Sequence, residues 1–277
     1  MTDDQHEGDE LLKDPRRQFA EELKSARELH KPRALSQRGL ATELQVGKST
    51  IARMEGDGNI PPYLPARLDE LFGTDGKFKR LWEEIIKGGY VDYSLKRIEL
   101  EAQATAIAEW SSSIVPGLLQ TLEYARALLR AGDPRTSEAE VSKLAAMRVA
   151  RQDVLRLGTP PDFSVVLCES VILRRVGSAE VMRGQLETLL AYAKQPTTIM
   201  QVLPLGSDAH GLMDGPLTTL TTPDGDTVAY TEGLVSGMII DDPAAVRRLC
   251  RAYDGVTASA LSTAHSVELI RKQLEAL

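Results

Sequence analysis

Apolar positions recur at three- and four-residue intervals through the first third of the chain, the period of helices with one buried face. Phe19, Leu23, Ala26 and Leu29 or His30 follow this spacing with charged residues between them, which predicts a helix that Pro32 ends. Ser36 is placed to N-cap a second helix with Leu40, Ala41 and Leu44 turned inward, and Gly47 precedes a third helix over Lys48 to Met54. The Gly56-Asp57-Gly58-Asn59 run and Pro61-Pro62 read as turn. A fourth helix is expected from about Leu64 to Leu71. A fifth is expected over Phe78 to Gly88, packing Leu81, Trp82, Ile85 and Ile86.

Beyond Gly88-Gly89 the pattern changes, which sets the expected domain boundary. An Ala-rich amphipathic helix is predicted from about Ser94 to Trp110, a second from Pro116 to Gly132, and a third over Thr136 to Leu157 with Ser137 and Glu140 as a capping box. The period then drops to two, and Phe163–Cys168, Thr197–Leu203, Leu217–Thr222 and Thr227–Thr231 are expected as strands. Helices over Ser178–Lys194, Asp242–Thr257 and Ser259–Ala276 surround them. The turn Pro223-Asp224-Gly225-Asp226 makes the last two strands an antiparallel hairpin. The expected fold is therefore mixed: an all-α helix-turn-helix N-terminal domain, then an α+β domain with a small antiparallel sheet. The expected segments are a disordered acidic tail (1–14), a helical domain (15–89) and an α+β domain (90–277).

Composition narrows the class. With 42% hydrophobic and 26% charged residues the chain is globular, and its longest uncharged stretches fall short of the roughly 18 to 20 apolar residues of a membrane span. Residues 1 to 12 hold Asp3, Asp4, Glu7, Asp9 and Glu10 without Lys or Arg, the reverse of a signal peptide, so a cytoplasmic, nucleoid-associated location is expected. Cys168 and Cys250 lie among apolar residues and read as buried thiols. The four histidines, His6, His30, His210 and His265, are scattered, and neither a metal nor any other cofactor is expected.

The formal charge of -7 argues against a nucleic-acid partner until it is divided along the chain. Residues 13 to 80 carry fourteen Lys and Arg against ten Asp and Glu, a net +4, while the twelve residues before them carry -5 and the rest -6. Phosphate attraction depends on the face that meets DNA, so a modestly basic first domain remains compatible with it.

The segment from Leu35 to Glu55 carries the chemistry. Ala41 is small where two helices cross closely, and Leu40, Leu44, Val46 and Ile51 form the wedge that holds the angle. Gly47 leaves the start of the third helix uncrowded, so its amides can approach a phosphate. Lys48, Ser49, Thr50 and Arg53 are expected on the outward face, where side chains reach base edges in a major groove. Gln37 and Arg38 begin the preceding helix, where a backbone phosphate would lie.

This segment resembles the XRE family, the Cro and phage-repressor type of helix-turn-helix. The matching residues are Ser36-Gln37, Leu40-Ala41, Ser49-Thr50-Ile51 and Glu55, within a resemblance over about residues 17 to 72. Gly47 departs from it, because many members have Ser or Thr as N-cap there. The resemblance implies that Gln37 and Lys48 pair to position the reading helix, with Thr50 and Arg53 nearer the bases. The string Val115 to Leu129 resembles a domain of unknown function attached to XRE heads in streptomycetes. Glu169–Gly177, Gln201–Pro204, His210–Pro216 and Val228–Glu232 share that resemblance. The whole is most similar to WhiJ-type developmental regulators. What this implies is a repressor of developmental or antibiotic-production genes, homodimeric on an inverted-repeat operator, with a small acidic partner protein encoded nearby.

The polar candidates of the second domain are Glu169, Arg174, Arg175, His210, Asp214, Tyr230 and Glu232. No Gly-x-Ser-x-Gly, His-Glu-x-x-His or phosphate loop accompanies them, so no catalytic residue is assigned and an enzyme is not expected. His210, Asp214, Tyr230 and Glu232 are carried forward as candidates for partner or ligand binding. The alternatives to a DNA-binding regulator are an antitoxin-like interaction protein that autoregulates its operon, and a small-molecule receptor-regulator.

Overall fold

The computed structural model describes residues 15–56, 60–87, 92–233 and 237–277. Expectations for the tail 1–14, for Asp57-Gly58-Asn59, for the boundary at Gly88-Gly89 and for the Ile86 side chain fall outside the described residues. The chain divides into two compact units, one up to Asp92 and one from Tyr93 onward.

The first unit is helical: α1 (Pro15–Leu29), α2 (Gln37–Glu43), α3 (Lys48–Met54), α4 (Leu64–Phe72) and α5 (Lys77–Lys87). Helices α1 and α5 pack through Phe19 and Phe78, whose rings meet edge to face at 5.3 Å. The buried stripe of α1 is Phe19, Ala20, Leu23 and Arg27. Of the two alternatives for the end of this stripe, His30 stands edge-on to Phe72, whereas Leu29 is 75% exposed because it lies more than a third of a turn from the stripe's centre. Ser36 caps α2 as expected, its hydroxyl accepting from the Gly39 amide at 3.0 Å.

The α2–α3 turn is a Schellman motif. The Val46 amide donates to the Ala41 carbonyl at 2.9 Å and the Gln45 amide to that of Thr42 at 3.1 Å, with Gln45 at φ 54°. A glutamine in this left-handed position is strained, since glycine usually takes it. Helix α5 lacks a cap residue of its own sequence. Asp69 on α4 supplies one, accepting from the Phe78 and Lys79 amides at 2.9 Å each.

The second unit is α+β, as expected, around a six-stranded sheet in the order β3-β2-β1-β4-β5-β6. The strands are β1 (Ala106–Ser111), β2 (Asp162–Cys168), β3 (Thr198–Leu203), β4 (Leu217–Thr221), β5 (Thr227–Glu232) and β6 (Gly237–Ile240). The β4–β5 hairpin is antiparallel through the expected turn, with Gly225 at φ 92°. The sheet as a whole is mixed rather than small and antiparallel, because β1, β2 and β3 run parallel.

The difference lies in the parallel β2–β3 pair and in two strands that the expected set did not include, β6 and β1. The expected helix over Ser94–Trp110 ends at Gln103 as α6 (Asp92–Gln103), and the chain continues as the strand between β2 and β4. Such a strand is covered on both faces, with Ile107 in one core and Trp110 in the other, so its alternation is hidden. Crossovers between parallel strands need helices, here α7 (Leu122–Gly132), α8 (Glu138–Ala150), α9 (Glu169–Leu173) and α10 (Ala179–Tyr192). Helix α11 (Pro243–Ser259) packs Val246, Tyr253 and Val256 against Trp110, Val166 and Leu217 on the opposite face. Helix α12 (Thr263–Glu275) adds Ile270 to the first core, beside Val202 and Leu186.

Candidate functional site

Helix α3 is sealed on one side and open on the other. Thr50, Ile51 and Met54 are buried, whereas Lys48, Ser49, Ala52 and Arg53 are exposed. Lys48, Ser49 and Arg53 thus occupy the outward face as expected, and Thr50 does not. At 100° per residue Thr50 falls beside Ile51 on the core side, leaving its hydroxyl to accept from Arg53 at 3.4 Å. Ala52 takes the outward place, a residue the pattern-based reading passed over because it looked for polar side chains. Arg38 is exposed at the start of α2.

Gly47 caps α3 with no side-chain hydrogen bond, at φ −70° and ψ 143°. A Cβ there would lie 3.4 Å from the Ser49 hydroxyl, ordinary contact, so neither backbone geometry nor crowding demands glycine at this position.

Gln37 is engaged elsewhere than its resemblance to the family implies. Its side-chain amide donates to Glu55 at 2.9 Å rather than pairing with Lys48. Glu55 also receives Arg27 through Nε at 2.5 Å and Nη2 at 3.1 Å, and Arg27 Nη1 donates to the Leu35 carbonyl at 2.9 Å. One buried carboxylate therefore ties α1, the start of α2 and the end of α3 together. Burial pushes the Glu55 carboxyl up, but the hydrogen bonds from Arg27 and Gln37 outweigh it and hold it below its ordinary value. Arg27 was missed in the sequence. The available signal was its place in the stripe Phe19, Leu23, Arg27, where a charge on an apolar face needs a buried partner.

In the second unit, the Val115–Gln120 string is a buried structural hub around the 3-10 turn Gly117–Leu119. Gln185 receives the Thr121 amide at 2.8 Å and donates to the Leu119 carbonyl at 2.7 Å, while Tyr124 accepts from the Val115 amide at 3.2 Å. Gly117 lies beneath Arg151: a Cβ there would come within 3.3 Å of the guanidinium. Arg151 in turn grips Glu101 bidentately at 2.8 and 2.7 Å.

Arg97 on α6 extends this network across the sheet. It donates to Glu109 at 3.1 Å, lies 3.6 Å from Glu101 and 3.7 Å from Glu232, and sits 5.0 Å above the Tyr230 ring. Tyr230 donates its hydroxyl to Glu232 at 2.9 Å. Tyr230 and Glu232 are thus brought together with a buried arginine. His210 stands apart, edge-on to Trp110 at 4.9 Å and accepting from the Leu212 amide at 3.2 Å, which makes it a loop-forming residue. Asp214 is exposed on that loop.

Of the Arg97–Glu109 pair, Arg97 Nε and Glu109 Oε2 are buried without a hydrogen-bond partner. Burial pushes the Glu109 carboxyl above its ordinary value, and Arg97 offsets this only in part. A raised carboxyl stabilises the fold below its unfolded value of 4.5, and that contribution is lost as pH rises through the folded value. Thermal melts of Glu109→Gln and wild type from pH 4.5 upward are expected to diverge, the variant gaining relative stability with rising pH. A constant difference would show that Glu109 does not titrate in this range.

Among the described residues, no group of three or more His, Cys, Asp or Glu could hold a metal ion, and no helix is long and apolar enough to cross a membrane. The second unit is thus a mixed-sheet α+β domain organised by a buried arginine–carboxylate network. A family model described as Domain of unknown function (DUF5753) matches residues 96–272, and the chain belongs to that family. No curated protein and no solved structure matches the chain.

Proposed function

We propose that the protein is a sequence-specific DNA-binding regulator of transcription, with α3 as the reading helix and the second unit as its control domain. The observation that carries this is the two-sided character of α3: a sealed face braced through Glu55, and an open face of Lys48, Ser49, Ala52 and Arg53. Lys and Arg suit phosphates and guanine edges, Ser suits either, and a small apolar Ala suits a thymine methyl. The resemblance of Ser36 to Glu55 to the XRE helix-turn-helix supports the same reading. On it, the protein acts as a homodimeric repressor of developmental or antibiotic-production genes, its two reading helices about 34 Å apart on an inverted repeat.

Mobility-shift titration on DNA selected from a random pool tests this. Both side chains are exposed, so their removal leaves folding intact. Lys48→Ala is expected to lower the salt slope by about one, and Arg53→Ala to cost roughly 1 to 3 kcal/mol on the selected site while relaxing its specificity. Selection that enriches no sequence, or binding indifferent to both substitutions, would overturn the proposal.

A further inference from the structure

The stretch that carries α2 and α3 is strongly one-signed: residues 31 to 54 hold Lys31, Arg33, Arg38, Lys48 and Arg53 against Glu43 alone. Arg38, Lys48 and Arg53 are exposed, and among the described residues none of them meets a carboxylate. The three form one patch. Lys48 and Arg53 share the open face of α3, where Arg53 Nε donates back along the helix to the Ser49 carbonyl at 3.4 Å. Arg38 follows Gln37, whose side-chain amide reaches Glu55, two residues beyond Arg53. Cations nearer the start of α1 are already engaged: Arg17 pairs with Glu21 at 3.0 Å, Lys77 with Glu22 at 2.5 Å and Lys79 with Glu83 at 4.0 Å.

The chain also holds a segment of the opposite sign. Residues 1 to 14 carry Asp3, Asp4, Glu7, Asp9, Glu10 and Asp14 against Lys13, six acids to one base. Helix α1 fixes its tether. Arg27 lies twelve residues along α1 from Pro15 and is bonded to Glu55, so the end of α3 is about 18 Å and one ion pair from the tether. Lys48 is a further two turns along α3, about 10 Å. Eight to twelve extended residues span about 27 to 41 Å, which brings Glu7, Asp4 and Asp3 within reach of the patch. A tether this short holds those acids at an effective concentration on the order of millimolar.

We infer that residues 1 to 14 fold back over α3 when no DNA is bound, setting Asp3, Asp4 and Glu7 against Arg38, Lys48 and Arg53 as an autoinhibitory stand-in for phosphates. The contact itself rests on charge and reach; its competition with DNA rests on the function proposed above.

Zero-length carbodiimide cross-linking of the full-length protein, read by peptide mass spectrometry, tests the contact without DNA. Lys48 is expected to be joined to Asp3, Asp4 or Glu7, and the links should stay within one chain when isotopically light and heavy protein are mixed. Asp3→Asn/Asp4→Asn/Glu7→Gln/Asp9→Asn/Glu10→Gln tests the consequence. A segment seated nine-tenths of the time hides the site for that fraction, so this variant is expected to bind random-sequence duplex at low salt about tenfold more tightly than wild type. The gain should shrink as salt is raised. Glu123→Gln/Glu187→Gln/Asp208→Asn/Asp254→Asn/Glu268→Gln makes the same change in net charge at exposed positions of the second unit and is expected to bind like wild type. Three outcomes would overturn the inference: acids 3 to 10 joined to Lys77 or Lys79 but not to Lys48, links only between different chains, or equal DNA affinity in the two five-residue variants. Should no form of the protein bind DNA, the proposed function fails, and the cross-links still decide the contact.

Discussion

Arg27→Met is expected to destabilise the first unit by roughly 3 to 5 kcal/mol, the usual cost of leaving one member of a buried ion pair without its counterpart. The side chains of Arg27 and Glu55 are only 10% and 6% exposed, so water cannot take over the role of the missing guanidinium. The loss should appear in urea titrations followed by Trp82 fluorescence in a Trp110→Phe background, since these are the chain's two tryptophans. Arg27→Met/Glu55→Met removes both charges and is expected to recover most of the stability, because no uncompensated charge then remains. On the proposed function, DNA binding should fail in the single variant and return in part in the double one. An Arg27→Met midpoint close to that of wild type would mean that Glu55 is not what braces α3.

The second large effect belongs to Arg151. Replacing it by Ala takes both hydrogen bonds from the Glu101 carboxylate, 2% exposed, leaving only Arg97 at 3.6 Å as counter-charge, and opens a space above Gly117. A loss of roughly 3 to 5 kcal/mol is expected, with a further increment from the void. Trp110 fluorescence in a Trp82→Phe background reads the second unit alone. Arg151→Lys keeps the charge but not the two-pronged grip and should still cost roughly 1.5 to 3 kcal/mol. The sign of the pH response offers an independent check. Burial raises the Glu101 carboxyl, but Arg151 and Arg97 more than reverse this and hold it below its ordinary value. Its contribution is therefore present above pH 4.5 and is lost as pH falls through the folded value. Glu55 behaves in the same sense in the first unit. If Arg151→Ala melted like wild type at neutral pH, the network would be ornamental to the fold.

Amphipathic periodicity and cap residues, read along the chain, were enough to locate the helices of the first unit. Ser36 before α2, Gly47 before α3 and the apolar positions Leu40, Ala41, Leu44 and Ile51 act over a turn or two of chain, which is the range over which caps and stripes work. The outward Lys48, Ser49 and Arg53 were legible for the same reason. Thr50 was not, because it lies at the margin of the stripe, where neighbouring helices decide which side of α3 is covered.

Linear order also foretold the hairpin at Gly225 and four of the strands. It could not foretell that Ala106–Ser111 joins them, since a strand flanked by two others and covered on both faces shows no alternation. Nor could it pair Arg27 with Glu55 or Arg151 with Glu101, partners 28 and 50 residues apart. Local spacing dictates which residues lie on a common face. Which buried charge meets which depends on contacts that only chain closure brings about.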